Sequence, residues 1–276
     1  MIKVKVSYKV AGLRASAVGR GFISSIPQYD EITDDFSVAN TLVCYGASPT
    51  HIHWYNNNKD TKKFVFIDLG YWKRGSQRDN YAHYKVSMGH WHPDLSMLPD
   101  VDADRFKASG LKITNQKLGD KILLAGLGVK GSSLYGYEHQ SWEKKMVEEI
   151  RKYTDREIVY RPKPSDHNAP PIDGTTYRHP LKYPNVEDEF ENTCAVVTHH
   201  SNVGIEAVLR GIPVYTQYGP ASVYSMNSLA CIENGRYEMS DRGNFFAKLA
   251  YCNWSVNEIR TGKCWEFLRE CINRQN

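Results

Sequence analysis

His199-His200-Ser201-Asn202-Val203-Gly204-Ile205-Glu206-Ala207-Val208-Leu209-Arg210-Gly211-Ile212-Pro213-Val214 reads as the end of one strand, a helix and the start of the next strand. The apolar run at 194–198 leads into it as a buried strand. Ser201 and Asn202 are residue types that open helices, and Gly211 is the type that stops them, which predicts a helix over 202–210 and a strand over 213–216. Strands that are apolar throughout, joined through a helix, belong to parallel sheets covered on both faces.

The same rhythm extends outward. Toward the N-terminus lie a strand at 121–127, a glycine-rich loop at 126–136 and a helix at 141–154. Ser141 can cap that helix, and Trp142, Met146, Val147 and Ile150 form its apolar stripe. A strand at 157–160 ends in Arg161-Pro162-Lys163-Pro164 and runs into a Pro-, His- and Gly-rich loop at 165–184. Earlier still, strands are expected at 2–8, 41–45 and 64–68, a loop at 13–26, a short helix at 50–58 and a long polar-aromatic region at 70–110. Two closing helices are expected at 245–254 and, behind a Ser255 cap, at 256–271. This is a doubly wound α/β pattern, in which ligands sit at the carboxyl ends of strands beside helix N-termini. A boundary near 115–120 divides the chain into α/β halves at 1–117 and 118–240, with a cleft between them and closing helices at 241–276.

Composition narrows the classes. The 276 residues are 41% hydrophobic and 24% charged, which suits a soluble globular protein, and no apolar run approaches the ~20 residues of a membrane span. Met1-Ile2-Lys3-Val4-Lys5-Val6 alternates like a strand and lacks a signal-peptide core, so secretion and a membrane partner are not expected. Lys plus Arg is 35 against 31 Asp plus Glu; a net charge of +4 permits a polyanionic partner without demanding one. The six Cys include no Cys-x-x-Cys, which reads as reduced and cytoplasmic. The 18 Tyr and 6 Trp suit stacking on sugars or bases, although most such rings build cores.

The helix start at Ser201-Asn202 favours a phosphate, through its free N–H groups and the helix dipole, and Gly204 would let a ligand approach the first turn. Glu206 lies one turn on, where a carboxylate can grip the vicinal hydroxyls of a ribose. The same residues can equally be plain caps and a solvated acid. Asp68 closes the buried strand at 64–68 and is the best candidate for a general base, with a turn cap or an Arg74 partner as the rival role. His51, His53, His90 and His92 are further candidate bases. Their two His-x-His pairs have a metal-like spacing, but neither has a carboxylate or Cys at a familiar distance, and no metal site is assigned. Asp102-Ala103-Asp104 has a metal-binding spacing in a loop-like context. Tyr71, Trp72, Lys73, Arg74, Arg78 and Tyr81 mix rings with cations, which suits an unstacked base beside phosphates, a sugar cleft, or a solvated face. Gly-x-Ser-x-Gly, His-Glu-x-x-His, Gly-x-Gly-x-x-Gly and the phosphate loop of kinases are all missing, so esterase, kinase-like and dinucleotide readings lose support.

Ser201-Asn202-x-Gly204-x-Glu206-Ala207-x-x-x-Gly211-Ile212-Pro213-Val214 resembles the donor-nucleotide motif of GT-B glycosyltransferases. The resemblance implies an α/β GT-B fold: two facing Rossmann-like domains, with a C-terminal helix bracing both. It implies a nucleoside-diphosphate sugar, a UDP-sugar first of all, with its diphosphate on Ser201 and Asn202 beside His200 and its ribose on Glu206. Arg161, Lys163, Lys130 and Gly131 stand where that fold wraps the donor. The Arg161-Pro162-Lys163-Pro164 segment, Asp68-Leu69-Gly70-Tyr71 with the Tyr/Arg-rich stretch behind it, and the segment 249–259 resemble glycosyltransferase-like proteins of tailed phages. That likeness implies a transferase in the host-cell cytoplasm acting on double-stranded DNA that carries 5-hydroxymethylpyrimidine. Asp68 would be its base, and the 71–81 residues named above would hold its acceptor. No cofactor is required, and a divalent metal is compatible but not implied. A surface-glycan transferase and a non-catalytic DNA-binding phage protein of the same fold are the alternatives.

Overall fold

The computed structural model describes residues 1–75, 79–166, 168–234 and 237–274. In chain order the first elements are β1 (Lys3–Ser7), α1 (Leu13–Ser25), β2 (Glu31–Ile32), β3 (Thr41–Tyr45), α2 (Pro49–Asn58), β4 (Lys63–Leu69), β5 (His83–Met88) and α3 (Asp104–Ser109). There follow β6 (Lys121–Ala125), α4 (Gly128–Tyr135), α5 (Ser141–Arg151), β7 (Ile158–Arg161), β8 (Thr176–Tyr177), β9 (Thr193–Thr198), α6 (Asn202–Arg210) and β10 (Val214–Thr216). The chain closes with α7 (Cys231–Asn234), α8 (Arg242–Ala250), β11 (Asn253–Ser255), α9 (Val256–Arg260) and α10 (Lys263–Arg274).

The chain forms two compact units. One comprises Met1–Leu111 with Gly243–Asn276, the other Lys112–Arg242. Sequence placed the first boundary at 117/118 and set 241–276 apart; in the structure the closing segment packs with the N-terminal residues. The reason is visible in the core. Trp265 and Arg269 of α10 both donate to the buried Asp30 carboxylate, at 3.0 and 2.9 Å, and the Ile2 amide donates to its other oxygen at 2.7 Å. Arg105 forks onto Glu258, at 2.6 and 3.2 Å, and lies over the Trp254 ring. Such bidentate pairs fix geometry as well as charge.

The first unit holds a six-stranded sheet in the order β11-β5-β4-β3-β1-β2. β2, β1, β3 and β4 run parallel, while β5 is antiparallel to β4 and β11 antiparallel to β5. Strand side chains alternate between faces. Val43, Val65 and Ile67 face a core shared with Phe22, Ile259 and Trp265, while Leu42, Cys44, Phe64 and Phe66 face a second core with Trp54 and Tyr55 of α2. The second unit holds an all-parallel sheet, β10-β9-β6-β7-β8. Its β9 is buried along its whole length, and Trp142, Met146 and Ile150 of α5 pack on one face of it.

Several local expectations change. Residues 13–26 form a helix rather than a loop. Their Gly and Ser content reflects close packing: a Cβ on Gly19 would lie 2.2 Å from the Tyr8 ring, while Val18 and Phe22 are fully buried. Residues 126–136 are mostly α4, because Gly131 is packed under Leu127 and His200. The polar-aromatic region 70–110 contains β5 and α3. Trp254 is in a strand, not a helix, since β11 pairs with β5. Helix α5 is preceded by Gln140 in the left-handed region, and Ser141 Oγ donates to the Glu138 carbonyl instead of capping. Gly211 ends α6 at φ +75, a conformation that favours glycine.

Candidate functional site

In the second unit Ala125 is level with both Arg161 and Thr198, so β6, β7 and β9 end side by side. Three chain segments leave that edge: α4, the Arg161–Lys163 turn, and the turn into α6. They meet there. A Cβ on Gly128 would lie 3.0 Å from Lys163 Cβ, and one on Gly131 would lie 3.3 Å from His200 Cε1. Helix α6 opens on Ser201, whose Oγ accepts from the Val203 amide at 3.3 Å, so Ser201 is a true N-cap. Asn202 is its first residue and Glu206 lies one turn on, half-buried. A Cβ on Gly204 would lie 3.3 Å from Ala221 Cβ and 3.4 Å from Thr198 Cγ2, so this glycine makes room for those two side chains.

Lys130 is exposed on α4. Lys163 is close enough for its charge to act on His199. Arg161 is 5% exposed and donates to the carbonyls of Tyr183 and Pro184, at 2.7 and 3.0 Å. Burial lowers its pKa, and the carboxylates of Glu189, Glu187, Glu206 and Asp188 oppose that shift. Its charge therefore reaches the edge from within, while its donors hold the 178–184 loop.

Sequence reasoning passed over the rings beside this edge. His199 is buried, with Tyr135 at 4.3 Å and Tyr218 at 5.0 Å between ring centroids, and Tyr135 stacks on Tyr218. Burial first, and Lys163 second, push the His199 pKa down to about 4, so the ring is neutral near pH 7. His199 Nδ1 lies 3.0 Å from His200 Nδ1, so one of the two must carry a hydrogen there and the other must not. Two further features lie nearby in the sequence. Glu143 is buried and accepts from the Leu127 amide at 2.7 Å, and the buried Asp166 pairs with His139 at 2.8 Å. The His-His pair is the only one of these with a local signal, as two polar residues at a strand end.

In the first unit Asp68 is the second-last residue of β4. Its side chain is 55% exposed, its Oδ1 accepts from the Leu69 amide, and Lys85, opposite it on β5, approaches to 3.9 Å. The 71–81 stretch divides. Tyr71 is 3% exposed, and its amide donates to Asn253 Oδ1. Trp72 stands edge-on to Phe106. Lys73 donates to the Ala108 carbonyl at 3.2 Å and Arg74 to the Tyr71 carbonyl at 3.0 Å. Tyr81 is 75% exposed, and Arg78 lies outside the described residues.

Neither histidine pair lies on a strand. His51 and His53 are on α2, where residues two apart do not share a face. His51 points to Ser7, and the exposed His53 contacts Asn57. The His90 and His92 rings are 5.9 Å apart, outside any helix or strand. Asp104 starts α3 and accepts from the Tyr251 hydroxyl at 3.0 Å. Among the described residues no group of three or more His, Cys, Asp or Glu could hold a metal ion. No helix among them is long and apolar enough to cross a membrane.

No protein-family description and no curated protein matches the sequence. Solved structures do. The chain is similar to the beta Kdo 2,7 transferase of Thermosulfurimonas dismutans KpsC, with 11% identity over 100% of both chains and a TM-score of 0.56. It is also similar to the beta Kdo 2,4 transferase of the same KpsC, with 13% identity over 98% of both chains and a TM-score of 0.52. At this identity the likeness establishes the fold, which is the two-unit, Rossmann-like α/β architecture of the GT-B class.

Proposed function

We propose that this protein is a glycosyltransferase that takes a nucleoside-diphosphate sugar and passes its sugar to a hydroxyl. One observation carries the reading: Gly128, Gly131, Lys163, His200 and the N-cap of α6 converge where three parallel strands end. A helix start beside a lysine and small residues suits a diphosphate, and Glu206 one turn on suits a ribose. Ser201, Asn202, Gly131, Lys163 and Lys130 are the contacts assigned to the donor, a UDP-sugar in the first instance. Arg161 adds charge through the protein rather than by touch. As the sugar leaves, negative charge grows on the diphosphate, and fixed cations and helix dipoles stabilise it without reorganising.

On the first unit Asp68 is the base assigned to the acceptor's proton. Lys85 approaches it to 3.9 Å, and its exposure leaves it open to substrate. The reading calls for no resident cofactor. The acceptor proposed is 5-hydroxymethylpyrimidine in double-stranded DNA, with Trp72, Lys73, Arg74, Arg78 and Tyr81 around it. A second reading, a saccharide acceptor, draws on Tyr71 being buried and on Lys73 and Arg74 donating to backbone carbonyls, which leaves less surface for a polyanion.

The test incubates the full chain with radiolabelled UDP-sugars and three acceptors: hydroxymethylated duplex DNA, unmodified duplex DNA and an oligosaccharide mixture. Label on the first alone supports the DNA reading. Label on saccharide alone keeps the transferase and removes DNA. Salt-sensitive DNA binding, with no transfer and no effect of Glu206→Ala, would make the chain a non-catalytic binding protein.

A further inference from the structure

The first unit carries a second set of chemical groups that the transferase reading does not use. Ser7 ends β1, Gly46 follows β3, and His51 is the third residue of α2. All three lie at the carboxyl-end edge of the parallel strands. Ser7 Oγ is 2.9 Å from His51 Nε2, and His51 Nδ1 is 2.8 Å from the Gly46 carbonyl oxygen. Ser7 is level with Cys44 on the neighbouring β3, and β4 with Asp68 lies one strand further. Ser7 is level with Phe66 two strands over and Asp68 lies two residues beyond it, so they stand about 12 Å apart, too far to share a proton directly.

The chemistry of the contacts fixes the direction of each bond. A carbonyl oxygen can only accept, so His51 Nδ1 carries a hydrogen. His51 is buried, and burial lowers its pKa below the usual 6.5, so the ring is neutral near pH 7. Its Nε2 is then bare and must accept from the Ser7 hydroxyl. The groups packed on the ring are the Ser7 hydroxyl, the Gly46 carbonyl and Trp54; its own amide donates to Ser48 Oγ, and no charged group contributes to its shift. Ser7 itself is half-buried, so part of its surface meets solvent. A hydroxyl paired with a base that is itself oriented by a third group is the arrangement that activates a nucleophile.

We propose that Ser7 and His51 form a second proton-accepting site, a base-activated hydroxyl that receives a hydroxyl-bearing ligand at the strand-end edge of the first unit. A ligand O–H donates to Ser7 Oγ. As that proton moves onto Ser7 Oγ, the Ser7 proton moves to His51 Nε2. The imidazolium keeps its Nδ1–H on Gly46, and the ligand oxygen is left nucleophilic. That the ligand is the sugar acceptor, held at a second point beyond Asp68, rests on the transferase reading; the reactivity of the pair does not.

The test needs neither donor nor acceptor. The full chain is treated with diisopropyl fluorophosphate from pH 5 to 9, and the modified residues are mapped by mass spectrometry. In this reaction Ser7 Oγ bonds to phosphorus, the P–F bond breaks, fluoride leaves and the serine proton passes to His51 and then to water. Ser7 is expected to react about 100-fold faster than the exposed Ser24 and Ser37, the scale of a positioned base. The rate should fall as pH drops through a single step below 6.5. His51→Gln, checked for folding by circular dichroism, should abolish the advantage. Labelling of Ser7 no faster than of Ser24, or a rate unchanged across the pH series of the unmodified protein, overturns the proposal. Either result leaves the transferase reading standing. Absence of sugar transfer together with fast Ser7 labelling removes the transferase and keeps the pair.

Discussion

The two strand-end edges are built differently. In the second unit every strand runs the same way, so each strand end feeds a turn, and two of the turns enter α4 and α6. Backbone dipoles and glycine-made space dominate that edge, and it suits a fixed anion. In the first unit β5 runs against β4, so the beginning of β5 lies beside the end of β4. That reversal places Lys85 against Asp68 and leaves an acid, a cation and, two strands away, a serine–histidine pair on one edge. Both edges carry helix starts, α1 and α2 after β1 and β3 in the first unit and α4 and α6 after β6 and β9 in the second; the mixed sheet adds a facing carboxylate and ammonium to its edge. On the proposed reading, the second unit's edge holds the donor's charge and the first unit's edge takes the acceptor's proton.

The largest expected effect tests that division. Asp68→Ala should lower kcat by about 10²–10⁴-fold, the usual worth of a positioned base, while the Kd for a UDP-sugar stays within about twofold. Steady-state kinetics and calorimetric titration separate the two. Normal turnover would take the base role away from this edge's carboxylate.

How much of the contrast could be read from the chain follows from where its parts lie. The α6 start of the second unit was legible because its pieces are contiguous: 199–214 carries strand end, cap, helix and stop within sixteen residues, whereas the approach of Gly128 and Gly131 to Lys163 and His200 was not. Ser201 as N-cap, the buried stripe of α5 and the Gly211 stop all rest on local rules, and all are present. What escaped was set by tertiary contact. The small residues of α1 read as loop because Tyr8, which they accommodate, is not periodic with them. β5 and β11 are short and draw their register from each other across 253–255 and 83–85. Ser7, Gly46 and His51 are scattered over forty-five residues, and no pattern within any one of them signals the others.

The next effect concerns acid stability. His199 is neutral and buried, with a pKa near 4 against 6.5 in the unfolded chain. Above pH 6.5 both states are neutral and the contribution to stability is complete. As pH falls from 6.5 toward 4, the unfolded chain binds a proton that the folded one refuses, so stability is lost, by about 3 kcal/mol in all. Urea unfolding at pH 7 and pH 4.5 should show the loss, and His199→Gln should shrink the difference between the two pH values. An unchanged difference would mean that other groups carry the acid response.

Smaller again is the donor's ribose contact. Glu206→Ala should weaken UDP-sugar binding by ~1–3 kcal/mol, the worth of hydrogen bonds to a charged group, with little change in thermal midpoint without ligand. Calorimetry on the variant checks it. Equal affinity would place the nucleotide elsewhere and leave the α6 edge as scaffold.

The smallest effect sharpens the comparison most, because the same residue type does the same local job in both units. Ser201 caps α6, and Ser255 caps α9 in a complete capping box with Glu258. Replacing either by Ala removes one acceptor from a helix start and should cost about 1 kcal/mol of stability. The Ser255 cap also shares Glu258 with Arg105, so its loss disturbs a half-buried ion pair and should lie at the upper end of that range. Ser201 Oγ accepts from the Val203 amide at a long 3.3 Å, and its replacement should lie at the lower end. Ligand binding should reverse the order. If the α6 start seats a diphosphate, Ser201→Ala weakens UDP-sugar binding several-fold beyond its stability cost, while Ser255→Ala leaves binding unchanged. Thermal melts with and without UDP-sugar read both quantities in one experiment. Equal ligand-induced shifts in the two variants would show that the second unit's helix start is a cap and nothing more.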